Sequence, residues 1–325
     1  MILIQFFSYA VLFLAVTVSA VRADDVCIGD EEKKSAQTAV AAMNKAEQAG
    51  RPEELFLAYR AIVADECIDR YDKNAQAKAA ANIKKLGRDL AKAAEAKGAF
   101  YSSEPVRANG QTSAFRYFEA IGDYPEANRV MLKAVHAQSD NIPLFETAWN
   151  VDKSRTGPRD PKTGEQLPYA SPPAYRQDLE RNAAANADRL MKSEEKDAPG
   201  LTGSITELST SATKSLEKLT TASKWMQYLP SGNKPAKDRA EQRGDTIMKR
   251  QDPTFSQGLA VGYYEFSGSQ KAKDITAKIR QKSDESQRAM EKAGKNIESS
   301  ITQKNEADQK KFDKKKADLE KELGF

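Results

Sequence analysis

Apolar side chains recur at helical spacing through most of the chain, and alternating β-branched runs bounded by turns are missing. That pattern predicts an all-α fold. A first helix runs from Glu31 to Gln48 and is rich in Ala. Gly50-Arg51-Pro52 ends it, because Gly takes the left-handed position after a helix and Pro suits the first turn of the next. The second helix, Pro52 to Cys67, carries Leu55, Ala58, Ala61 and Ile62 as an apolar stripe. The third, Asn74 to Lys97, sets Ala77, Ala80, Ile83, Leu86 and Leu90 on one side and stops at Gly98. Residues 102–113 read as a loop. Five prolines and two glycines between Arg155 and Pro173 forbid a helix there and mark a long loop or linker. Helices resume over Tyr175–Asp197 and Ser204–Leu229.

The segment Phe115-Arg116-Tyr117-Phe118-Glu119-Ala120-Ile121-Gly122-Asp123-Tyr124-Pro125-Glu126-Ala127 sets an aromatic helix before a Gly-Asp turn and opens the next helix with Pro-Glu-Ala. It resembles the turn of a tetratricopeptide repeat. An internal match has the same character. Tyr228-Leu229-Pro230-Ser231-Gly232 with Ala236-Lys237-Asp238 matches Tyr264-Glu265-Phe266-Ser267-Gly268 with Ala272-Lys273-Asp274, 36 residues on. That offset is near the period of helix-turn-helix repeats. The resemblance implies tetratricopeptide-like helical hairpins stacked as a short α-solenoid. Such folds expose an extended face and hold a protein or peptide. The aromatics Phe115, Tyr117, Phe118, Tyr263, Tyr264 and Phe266 then serve mostly as packing between helices.

The N-terminus changes the picture. Residues 1–23 are apolar with no charge before Arg22, and Val18-Ser19-Ala20 and Val21-Arg22-Ala23 offer small residues at cleavage spacing. They read as a signal peptide, with an uncleaved anchor as the alternative. No second apolar run follows, which leaves the mature chain without a membrane span and places it in the periplasm or outside the cell. Cys27 and Cys67, the two cysteines of the chain, then pair as a disulfide. The organisation is a signal peptide at 1–23, a helical domain at 24–153, a Pro-rich linker at 154–173, a helical-repeat region at 174–268 and a charged helical tail at 269–325.

Charge is unevenly spread. The chain holds 51 Lys and Arg against 47 Asp and Glu, and residues 271–325 hold 15 against 11, so the whole excess of positive charge lies in the tail. Its apolar residues are sparse: Ile275, Ile279, Met290, Ile297, Ile301, Phe312, Leu319 and Leu323. Spacings of four and seven predict a long solvated helix with a thin seam, which pairs as a coiled coil, packs back on the body or projects into solvent. Contact with a polyanion through this basic tail is a further expectation. Nucleic acid is not expected, because acids interleave the bases and aromatics do not accompany them.

Reactive chemistry is sparse in the sequence. His136 is the only histidine, no Cys-x-x-Cys occurs, and no phosphate-cradling Gly-rich motif is present, so neither metal nor cofactor is expected. Lys224-Trp225-Met226-Gln227-Tyr228-Leu229-Pro230 resembles the Gly-Leu-Met-Gln-x-x-Pro segment of lytic transglycosylases, although Ala222, Lys224 and Trp225 replace that family's glycines. The resemblance implies a peptidoglycan-cleaving enzyme with Glu207, beside Ser209, as general acid. The simpler reading makes Trp225, Tyr228 and Leu229 core residues. Arg243-Gly244-Asp245 spells the integrin tripeptide but falls within a predicted helix. The leading expectation is an exported, non-enzymatic interaction or assembly scaffold whose partner is a protein or peptide of the cell envelope. The peptidoglycan enzyme and a coiled-coil spacer of the envelope are the alternatives.

Overall fold

The computed structural model describes residue 27 and residues 29–108, 111–161, 163–200, 203–250 and 253–323. Residues 1–23, read above as a signal peptide, lie outside the described residues. The fold is all-α, with a two-stranded hairpin as its sheet. It divides into two compact units, residues 1–178 and 179–325.

In the first unit, α1 (Asp30–Ala49) ends at Gly50, whose φ of 61° lets its N–H reach back to the last turn. Pro52 opens α2 (Pro52–Ala64). The disulfide predicted from the cysteine count is present: Cys27, ahead of α1, is bonded to Cys67, ahead of the short α3 (Ile68–Tyr71). Asp72 then caps α4 (Lys73–Ala96), accepting the Ala75 N–H at 2.9 Å.

The core faces of these helices differ from the expected stripes. In α2 the buried side chains are Phe56, Tyr59 and Ile62, whereas Ala61 is exposed and Leu55 half-buried. In α4 they are Ala75, Ala79, Ile83, Leu90, Ala91 and Ala94, while Ala77 and Ala80 face water. Alanine is so frequent here that it marks no face, and the bulky aromatics of α2 set the register instead. They press close: a Cβ at Gly87 of α4 would lie 2.8 Å from the Phe56 ring and 2.5 Å from Ile121.

The next helices are α5 (Ala114–Ala120), α6 (Tyr124–Ala137) and α7 (Ile142–Asn150). α5 and α6 form the hairpin expected around Gly122, and Phe115, Tyr117 and Phe118 are buried in it. α7 was not anticipated, though its signal is there: Asn141 accepts the Leu144 N–H at 3.0 Å and Pro143 sits in the first turn.

The Pro-rich stretch is structured. β1 (Thr156–Arg159) pairs antiparallel with β2 (Gln166–Pro168), and both belong to the first unit. Arg155, its side chain fully buried, pins this hairpin. Its guanidinium donates to Glu119 Oε1 at 2.7 Å and to Asn128 Oδ1 at 2.5 Å, and stacks over the rings of Tyr124 and Tyr169. α8 (Pro173–Asp197) follows, and the boundary between the units falls within it.

The second unit continues with α9 (Ile205–Met226), α10 (Lys234–Met248), α11 (Pro253–Ser267) and α12 (Lys271–Leu323). Its core joins Leu219, Ile247, Ala260, Tyr263, Tyr264 and Ile275. The two copies of the internal match occupy equivalent places. Gly232 (φ 57°) and Gly268 (φ 77°) each turn the chain ahead of a helix, and Ala236 and Ala272 lie buried in the first turns that follow.

Candidate interaction surface

α12 is anchored at its start. Lys271 donates to Asp245 at 2.8 Å and to Glu241 at 3.0 Å, and sits over the Tyr264 ring. Ala272 and Ile275 are buried, and Ile279 is half-buried against the same core. The helix then runs on. It is 53 residues long, about 80 Å at the rise of an α-helix. Every residue from 281 to 319 is exposed. Met290, Ile297, Ile301, Phe312 and Leu319 are among them, each more than half exposed.

A helix in a protein is normally held by an apolar face packed on something else. The support along 281–319 is local: Gln281 to Glu285, Gln287 to Glu291 and Gln309 to Asp313 bond one turn apart. Such pairs contribute a few tenths of a kcal/mol each. Five large apolar side chains thus stand in water along one long helix.

The residues singled out for chemistry have other duties. Glu207 and Ser204 form a capping box at the start of α9: the Glu207 carboxylate accepts the Ser204 N–H at 2.8 Å, and the Ser204 hydroxyl accepts the Glu207 N–H at 3.2 Å. Those bonds from the Ser204 backbone and hydroxyl hold the carboxyl below its ordinary range, opposite to what a general acid at neutral pH requires. Met226 and Gln227 lie at the other end of the same helix, about 28–30 Å from Glu207 along its axis. Of the three residues that the packing alternative places in the core, Trp225 is buried and Tyr228 and Leu229 are half-buried; Met226 is buried as well. His136, half exposed, pairs with Asp178 at 2.9 Å.

Arg243, Gly244 and Asp245 are also used internally. Arg243 holds Glu194, Gly244 lies against the Tyr264 ring, and Asp245 accepts the Tyr264 hydroxyl at 2.7 Å. Glu194 is fully buried. Burial pushes its carboxyl up, but Arg243, Ser215 and Arg239 outweigh that and bring it below the ordinary value. Sequence reading missed this cluster, whose members are up to 49 residues apart. Among the described residues no His, Cys, Asp and Glu side chains converge as a metal site, and no helix is long and apolar enough to cross a membrane. No protein-family model, curated protein or solved structure matches the chain.

Proposed function

We propose that the protein is an exported, non-enzymatic assembly protein of the cell envelope: tetratricopeptide-like helical hairpins form its body, and the C-terminal helix is the element that engages a protein partner. The observation that carries this reading is the uncovered stripe of α12, Met290 to Leu319, on a helix whose every residue from 281 to 319 is exposed. The Cys27–Cys67 bridge and the apolar N-terminal segment support export, since a disulfide persists where the surroundings are oxidising.

Photo-crosslinking in the intact envelope tests it. A photoreactive side chain at Met290 or Ile301 is expected to give discrete protein adducts, and one at Ser299, on the opposite face of α12, is not. Absence of adducts at 290 and 301, or equal labelling at all three positions, contradicts the reading.

A further inference from the structure

The stripe on α12 has a period. Residues 279, 290, 301, 312 and 323 are Ile, Met, Ile, Phe and Leu, so every eleventh residue is apolar. A second column four residues earlier, at 275, 286, 297, 308 and 319, reads Ile, Ser, Ile, Asp and Leu, so it is apolar at three of its five positions. Eleven residues make three turns at 3.67 per turn, so the stripe stays on one face over the length of the helix, with a slight right-handed drift. Its first members, Ile275 and Ile279, pack into the core of the second unit. From Met290 onward the same face continues, exposed and uncovered by any of the described residues.

The two borders of the stripe differ in charge. On the side three residues after the stripe positions stand Lys282, Lys304 and Lys315. On the other side, three residues before or one after, stand Arg280 at the anchored start and, beyond Ile279, Glu291, Glu298, Asp313 and Glu320. In a parallel pair of identical helices each border faces the opposite border of its partner, so lysines meet carboxylates. In an antiparallel pair like faces like. A lipid surface is disfavoured, because an interfacial helix buries a broad apolar face, whereas this stripe is narrow and one of its borders beyond Ile279 is acidic. The stripe is also narrow, one constant apolar position per eleven residues, which suits two helices.

We infer that α12 pairs in parallel with α12 of a second copy of this chain, through the eleven-residue apolar seam beyond Ile279. The inference rests on the reading of α12 as the docking element and names its partner.

The test uses the full mature chain. Light scattering and sedimentation equilibrium at micromolar concentration are expected to give twice the chain mass. Ile301→Asn and Phe312→Lys, both exposed positions, should each weaken pairing at least tenfold with unchanged far-UV dichroism, and Ser299→Lys should leave it unchanged. Ile301→Cys and Phe312→Cys should each form a same-residue disulfide dimer on oxidation. An antiparallel pair cannot bridge both, since the two positions are about 16 Å apart along the helix. A monomeric chain, a mass other than that of a dimer, or failure of either cysteine to bridge overturns the inference. A monomer whose 290 and 301 probes still label another protein overturns self-pairing and leaves the docking reading standing. A monomer with no adducts overturns both.

Discussion

Glu194 and Arg243 meet in a two-point contact, Nε to Oε1 at 2.8 Å and Nη2 to Oε2 at 3.0 Å, and tie α8 to α10 within the second unit. The carboxylate has no exposed surface. Removing Arg243 leaves this buried carboxylate with the Ser215 hydroxyl at 2.6 Å and Arg239 at 3.5 Å, and breaking a buried pair from one side costs more than the pair contributes. Arg243→Ala should therefore lower unfolding free energy by about 3 kcal/mol in urea titration. Glu207→Ala, at an exposed cap, should have a much smaller effect. Equal losses from the two would contradict this assignment.

Gly244 and Tyr264 give a second, steric prediction. A Cβ at Gly244 would lie 2.7 Å from the Tyr264 ring, which is 2% exposed and cannot swing away. Gly244→Ala should destabilise by about 2 kcal/mol, as overpacking does. Gly258, also in a helix, has open space where its Cβ would go. Gly258→Ala should stabilise by about 0.5–1 kcal/mol. Thermal unfolding of the two variants in parallel checks the contrast in sign.

Much of the fold was legible in the sequence because turn chemistry is local. Gly50-Arg51-Pro52, the turn at Gly122 and the matched Gly232 and Gly268 all sit between helices as their residue types demand. The core faces were harder to read. Ala61 and Ala77 look like stripe members, yet the aromatic Phe56 and Tyr59 fix which side of the second helix is inward. The β-hairpin after Arg155 was hidden because long-range contacts hold it, through Glu119, Asn128 and Tyr169. Ser204-x-x-Glu207 is the sequence signature of a capping box, and that local duty accounts for Glu207 without acid chemistry. The seam of α12 showed in its sparse apolar residues, but spacings of four and seven concealed the longer period of eleven.

The Cys27–Cys67 bridge closes a span of 40 residues. Cross-linking a loop of that length restricts the unfolded chain and contributes on the order of 4 kcal/mol by the chain-entropy model. Alkylation under denaturing conditions should label no thiol before reduction and two after it. The reduced protein should unfold about 2–4 kcal/mol more readily.

Glu95 gives the pH dependence a named source. Hydrogen bonds from Arg129, at 2.7 Å, and from Lys133 hold its carboxyl down at about 2. A carboxyl depressed in the folded state contributes stability that is full above its unfolded value, about 4.3, and is lost as pH falls through the folded value. Arg129 and Lys133 are 40% and 50% exposed, so solvent screening reduces the contribution to about 1 kcal/mol. Glu95→Gln should lower stability by that amount at pH 7 and flatten its fall between about pH 4.5 and pH 2. An unchanged acid limb contradicts this origin.

If α12 pairs as proposed, the face of α12 beyond Ile279 is covered by a partner helix in solution. Hydrogen exchange along residues 281–319 of the full chain, measured over a hundredfold range of protein concentration, reads that covering. Amide protection in this segment is expected to rise with concentration and to be lost in Ile301→Asn. Rapid exchange that is the same at every concentration, and the same in the variant, would contradict it.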